Sequence, residues 1–140
     1  MIVLVGGAAA SWAMVGVIWL VQIVTYPMLT GHSRLRPVDA ALEHQRRITW
    51  VVGPLMAVEG VTALVLLVER PATMTAGSAW LAAGLLGVAL ISTWTIQVPL
   101  HARLAAGHDD EVGRRLIATN WIRTAAWSGR GLVLAAVLAT

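Results

Sequence analysis

Four stretches of this chain, residues 2–29, 48–68, 78–104 and 116–140, are long and apolar enough to cross a lipid bilayer, and nothing else in it limits the fold as much. A bilayer core about 30 Å thick takes roughly 20 helical residues to span. The 140 residues therefore hold four spanning helices and short connections, without space for a separate soluble domain. The expectation is an all-α, integral membrane four-helix bundle, a single domain over residues 1–140. Composition agrees, with 12% charged residues against roughly 25% in soluble domains, and a mean hydropathy of +0.76. Cysteine is absent, which excludes disulfides, thiolate metal sites and thiol redox chemistry. The first stretch starts beside Met1 without a basic leader and outruns a signal-peptide core, so it reads as a retained helix.

The flanks set helix ends and orientation. Pro37, followed by Asp39 and Glu43, predicts that the second helix starts outside the membrane and projects into it, stopping at Glu69-Arg70-Pro71. Gly107 closes the third helix, and Asp109-Asp110-Glu111 supply the acidic first turn that the helix dipole favours in the fourth. Every basic residue is Arg: Arg34, Arg36, Arg46 and Arg47 lie in the first connection, Arg103, Arg114 and Arg115 in the third, and only Arg70 in the second. The positive-inside rule then puts both termini outside a plasma (inner) membrane and the two long connections in the cytoplasm. These arginines also account for the sequence pI of about 11.1. A nucleic-acid partner would need a basic patch on a soluble face or a known module, and the chain has neither.

Inside the apolar stretches a few polar residues stand out. A charge at mid-membrane costs on the order of 2.5–3.5 kcal/mol on insertion scales, so Glu59, Arg123 and Arg130 should face the bundle interior and pair. At about 1.5 Å per residue from the cytoplasmic ends, Glu59 falls near ~16 Å, between Arg123 near ~10 Å and Arg130 near ~21 Å, so either arginine can reach it. The fourth helix, carrying Asn120 and both arginines, should insert only with help from the other three.

Trp19-x-x-Gln22-x-x-x-Tyr26 has a counterpart in Trp94-x-x-Gln97-x-x-x-His101, each trio on one helical face. The match suggests two repeated helix hairpins whose first and third helices turn equivalent polar faces inward. Asn120, Arg123, Trp127 and Arg130 form a stripe on the fourth helix, and His44 lies near the Glu59 face of the second. Gln22, Tyr26, His44, Gln97, His101, Asn120 and Arg123 are thus expected to converge on one cavity in the cytoplasmic half. Bland roles stand beside these. Glu59 and its arginine are equally an ion pair that fixes packing, the glutamines and Asn120 are equally interhelical hydrogen bonders, and His32 and His108 read as exposed loop residues. Of the seven Trp, Trp19 and Trp94 are the ones expected to stack on a ligand. No cofactor is expected, because no Glu-x-x-His or other well-placed ligand set occurs; the alternative is haem or a metal held by His44 and His101.

Ile96-Gln97-Val98-Pro99-Leu100-His101 and Thr119-Asn120-Trp121-Ile122-Arg123-Thr124 resemble the closing element of helix three and the opening element of helix four in the small membrane proteins grouped with the anthrone-oxygenase-like domain. His101 stands where that family usually has Asn, and Trp121 follows Asn120 instead of preceding it. The resemblance implies a four-helix membrane fold and an oxidoreductase that oxygenates a phenolic polycyclic substrate without a bound metal. On that reading His101 or His44 is the general base and Arg123 stabilises the oxyanion, while Trp19, Gln22, Tyr26, Glu59, Trp94, Gln97 and Asn120 surround a small apolar or quinone-like ligand taken from the lipid bilayer. The alternative is a small transporter or channel subunit acting as a homo-oligomer, or an accessory subunit of a larger complex, with Glu59 titrating against Arg123 or Arg130.

Overall fold

A computed structural model describes residues 1–31, 37–107 and 109–140. Arg34, Arg36, His32 and His108 lie outside them. The described secondary structure is all helical, in four helices. Helix α1 (residues 2–31) consists of Ile2–Leu20, a π turn Val21–Thr25 and Tyr26–Gly31. Helix α2 is Pro37–Val68, α3 is Ala76–Ala106 with a π turn Thr93–Gln97, and α4 is Asp110–Leu138.

Three of these, α1, α2 and α3, are long and apolar enough to cross a membrane. At 29 residues α4 is also long enough, about 43 Å, but its charges leave it less apolar than the other three, in line with a helix that depends on its neighbours. Large apolar side chains such as Ile2, Trp50, Leu64 and Trp80 are exposed on the flanks. On a bundle this apolar, such a surface fits contact with lipid tails.

The helices pack in a ring, α1 on α2, α2 on α3, α3 on α4 and α4 on α1, leaving α1 opposite α3 and α2 opposite α4. Three apolar layers fill the centre. Leu4, Leu66, Ala82 and Leu134 form one end, Met14, Ile18, Ala89 and Trp127 the middle, and Val21, Tyr26, Leu100 and Leu116 the other end. Helices α1 and α2 lie close together at Gly7, where a Cβ would meet Thr62 Oγ1 at 3.0 Å. Thr62 cannot easily yield, because its hydroxyl donates to Val58 O at 2.7 Å and Glu59 O at 3.2 Å.

Two helix ends differ from the sequence expectation. Helix α3 starts at Ala76, ahead of the expected residue 78, because the Thr75 hydroxyl accepts from Ser78 N at 3.1 Å and caps the first turn. Gly107 donates its N–H to Arg103 O at 3.1 Å, but its φ of 177° is extended backbone, so glycine's left-handed freedom is not what stops α3. The start of α4 is as expected: Asp109 Oδ1 accepts from Glu111 N at 2.8 Å and Val112 N at 3.3 Å. Glu111, exposed in that first turn, is held below the usual carboxylate range by hydrogen bonds from Arg114 and Arg115.

Candidate functional site

Two prolines shape the site. Proline lacks an N–H and clashes with the carbonyl four residues back, so within a helix it breaks a rung of the hydrogen-bond ladder, which a local change of winding can absorb. Here each change is a π turn that ends two residues before the proline: Val21–Thr25 before Pro27, and Thr93–Gln97 before Pro99. Tyr26 N–H reaches back to Val21 O, and Val98 N–H to Thr93 O, the five-residue spacing of π winding. In α3, Thr93 and Thr95 donate their hydroxyls to Ala89 O at 2.7 Å and Ile91 O at 2.8 Å, which keeps polar groups satisfied around the irregular winding.

Across the bundle the two irregular helices meet through side chains. The Tyr26 hydroxyl lies 2.8 Å from His101 Nε2 and 3.5 Å from Gln97 Oε1. His44, from α2, completes a ring cluster, 5.9 Å from His101 and 6.1 Å from Tyr26 between centroids. Gln97 Nε2 donates to Thr119 Oγ1 at 2.9 Å, and Gln22 Nε2 to Ile117 O at 3.2 Å, so both repeat glutamines turn inward and tie to α4.

A second chain of contacts holds the cation. Asn120 Nδ2 donates to Gln22 Oε1 at 2.8 Å, and Asn120 Oδ1 accepts from an Arg123 terminal nitrogen at 3.2 Å. The Arg123 guanidinium also lies over the Trp127 ring, 5.3 Å from its centroid, and is a hydrogen-bond neighbour of Tyr26.

These side chains border a cavity of about 270 Å³. Its floor is Arg123, its polar wall is Tyr26, His44, Gln97 and His101, and its apolar wall includes Met14, Ile18, Ile48 and Val52. It opens sideways. Helix α2 packs on the two α-helical parts of α3 but not on the π turn between them. That gap is flanked by the exposed lining residues Thr49 and Val98 and the half-buried Gln45 and Thr93.

Five of the seven residues expected to converge thus line one cavity: Tyr26, His44, Gln97, His101 and Arg123. Gln22 and Asn120 do not border it; Asn120 links Gln22 to Arg123 by hydrogen bonds. Trp19 and Trp94, expected to stack on a ligand, do not border this cavity. Trp94 is 67% exposed, and Trp19 packs edge-on against Trp121 at 5.5 Å while donating to Ser128 Oγ at 3.1 Å. The physical reason lies in the winding: a π turn takes more residues per revolution than an α turn. Straight α-helical spacing therefore overstates how closely Trp19 shares a face with Gln22.

Glu59 lies outside the cavity as well. It is fully buried, and of the two candidate arginines its partner is Arg130, with Arg130 Nε 3.3 Å from Glu59 Oε1. Ser11 Oγ donates to Glu59 Oε1 at 2.6 Å and Trp127 Nε1 to Oε2 at 2.8 Å; Arg130 further reaches Ser11 Oγ at 2.9 Å and Ala82 O at 2.7 Å. One residue or more from each helix enters this cluster, so it clasps the whole bundle.

Sequence reasoning missed Gln45, which lines the cavity mouth, and the part Ser11 plays. Gln45 shares a face with Thr49 and Val52 at helical spacing, a signal that was present but overshadowed by His44. Among the described residues, no group of three or more His, Cys, Asp and Glu side chains could hold a metal ion. No protein-family model, curated protein or solved structure matches this chain.

Proposed function

We propose that this is an integral membrane protein that takes a small phenolic or quinone-like molecule from the lipid and acts on it as an oxidoreductase. The observation that carries the reading is the side-opening cavity, which brings a base, a hydroxyl and a cation together inside an apolar bundle. The ligand's rings would lie along Met14, Ile18 and Val52, with its oxygen toward Arg123. The Tyr26 hydroxyl can take a proton from the ligand as it passes its own to His101 Nε2, 2.8 Å away. Arg123 would stabilise the oxyanion left behind, the arrangement a carbanion- or enolate-forming step needs. The resemblance to anthrone-oxygenase-like proteins adds the next step: dioxygen oxidises the activated methylene to a carbonyl and leaves its second oxygen as water. A transporter working through Glu59 draws less support, since that carboxylate is enclosed by Ser11, Trp127 and Arg130, away from the cavity.

The test is oxygen uptake by the purified protein in lipid nanodiscs supplied with anthrone. Saturable uptake above empty nanodiscs, with anthraquinone as product, is expected. Saturable binding without uptake would leave a binding protein in place of an enzyme, and no binding would remove the reading.

The arginine-rich connections support an orientation with both termini outside and the cavity in the cytoplasmic half. A cysteine introduced beside Arg103 should resist an impermeant thiol reagent in intact cells, while one at Thr140 reacts. Reversed labelling would invert the topology.

A further inference from the structure

We propose that the half of α2 nearer Pro37 is a gate, swinging about Gly53-Pro54 to admit a ligand dissolved in the membrane between α2 and α3. The proposal rests on the reading of the cavity as a small-molecule pocket and names the part that moves to fill it.

Pro27, Pro54 and Pro99 all sit inside helices of membrane length. Helices α1 and α3 absorb Pro27 and Pro99 by π turns, but α2 runs through Pro54 as an α-helix. Its ladder therefore lacks the rung that residue 54 would donate to Trp50 O, and no change of winding makes it up. Gly53 stands beside it. A Cβ there would meet no atom within 4 Å, so no neighbouring helix is pressed against the backbone on that side. Bending of a helix concentrates at such a missing rung, and a flanking glycine makes it easier.

The two sides of this pivot are held unequally. Beyond it, Glu59 ties α2 to α1 and α4 through Ser11, Trp127 and Arg130. Before it, Ala41 is the one buried residue from 38 to 52. Arg47 donates to Glu43 at 2.6 Å and Thr49 to Gln45 O at 2.8 Å, bonds that stay within α2. In the most apolar stretch of α2 17% of the residues are buried, against 44% in α1 and 28% in α3. Yet this loosely held arm carries His44, Gln45, Ile48, Thr49 and Val52, a whole wall of the cavity, and it passes the α3 π turn without packing on it. A swing at Gly53-Pro54 thus moves that wall while the Glu59 clasp stays closed. The arm's exposed Trp50 and Val51 meet lipid at either position, so the swing strands no apolar surface in water.

The chain has no cysteine, so Thr49→Cys with Val98→Cys, on the two sides of the gap, can be bridged in nanodiscs by thiosulfonate linkers of graded length. Anthrone binding and release are then followed by stopped flow without oxygen. A short bridge should slow both; a long one, lying across the same mouth, should restore them, and so should reduction of the short one. Gly53→Ala with Pro54→Ala, at positions that do not line the cavity, should slow association and release together. The expected fall is about tenfold or more, a fraction of what the helix propensities of these residues make available, with Kd near wild type. Should that double variant fail to insert, the bridges decide; should the cysteines resist bridging, the double variant decides. Unchanged rates in the short-bridged protein or in the Gly53/Pro54 variant overturn the gate while leaving the pocket in place. Slower association matched by weaker binding means a damaged site and overturns the gate as well. Absence of anthrone binding by the wild-type protein removes the pocket and the inference with it.

Discussion

Glu59→Gln and Arg130→Met should each lower the unfolding free energy by about 3–5 kcal/mol, the usual effect of removing one partner from a buried ion pair. Both side chains are essentially inaccessible, at 0% and 1% exposure, so no solvent screening softens the loss. Glu59→Gln leaves the Arg130 charge facing a neutral amide. Arg130→Met leaves a buried carboxylate with only the Ser11 and Trp127 donors. The double variant should recover much of the loss, because its amide oxygen can still accept from Trp127 Nε1 while its NH2 donates to Ser11 Oγ and neither charge remains. Desolvation is what makes this so: the intact pair owes much of its apparent strength to the cost of stranding either ion. Reversible unfolding of the solubilised protein, read as a double-mutant cycle, measures the coupling. Single variants within about 1 kcal/mol of wild type would show that the clasp does not hold the bundle.

The largest effect on turnover should come from His101→Gln. General acid–base groups contribute about 100- to 10,000-fold, and a loss in that range is expected in oxygen uptake. Gln also has a group that can bond the Tyr26 hydroxyl, so melting temperature and anthrone affinity should stay near wild type. That split distinguishes a proton acceptor from a residue that only packs. Tyr26→Phe should produce a similar fall in rate, since the relay loses its hydroxyl. Were His101→Gln to keep full rate, the proton would have to leave by His44 or by solvent.

What could be read from the chain differed from level to level. Helix identity was plain, because apolar stretches of membrane length have few alternatives, and the Asp109 cap could be seen directly. The inward faces of Tyr26, Gln97 and His101 were also legible, since polar side chains on apolar helices are driven to one another. The choice between Arg123 and Arg130 was not. It depends on rotation of α4 against α2, which lie opposite each other, and both arginines fell within reach by depth alone. The outward turn of Trp19 depended on π winding. Pro27 and Pro99 signalled some disruption without saying whether a kink, a break or a π turn would absorb it. Gln45 could be placed on the cavity wall only with the gap between α2 and the α3 π turn in view.

On the proposed reading, the sideways opening between α2 and α3 has a consequence for how the protein meters its ligand. A pocket reached through the hydrocarbon samples the mole fraction of ligand in the bilayer, which partitioning raises far above its aqueous level. Weak intrinsic affinity then suffices for high occupancy with a greasy compound, while a water-loving analogue of the same shape is disadvantaged before it meets any side chain. The surrounding membrane thus becomes the first stage of selection, and the Arg123 end of the cavity the second.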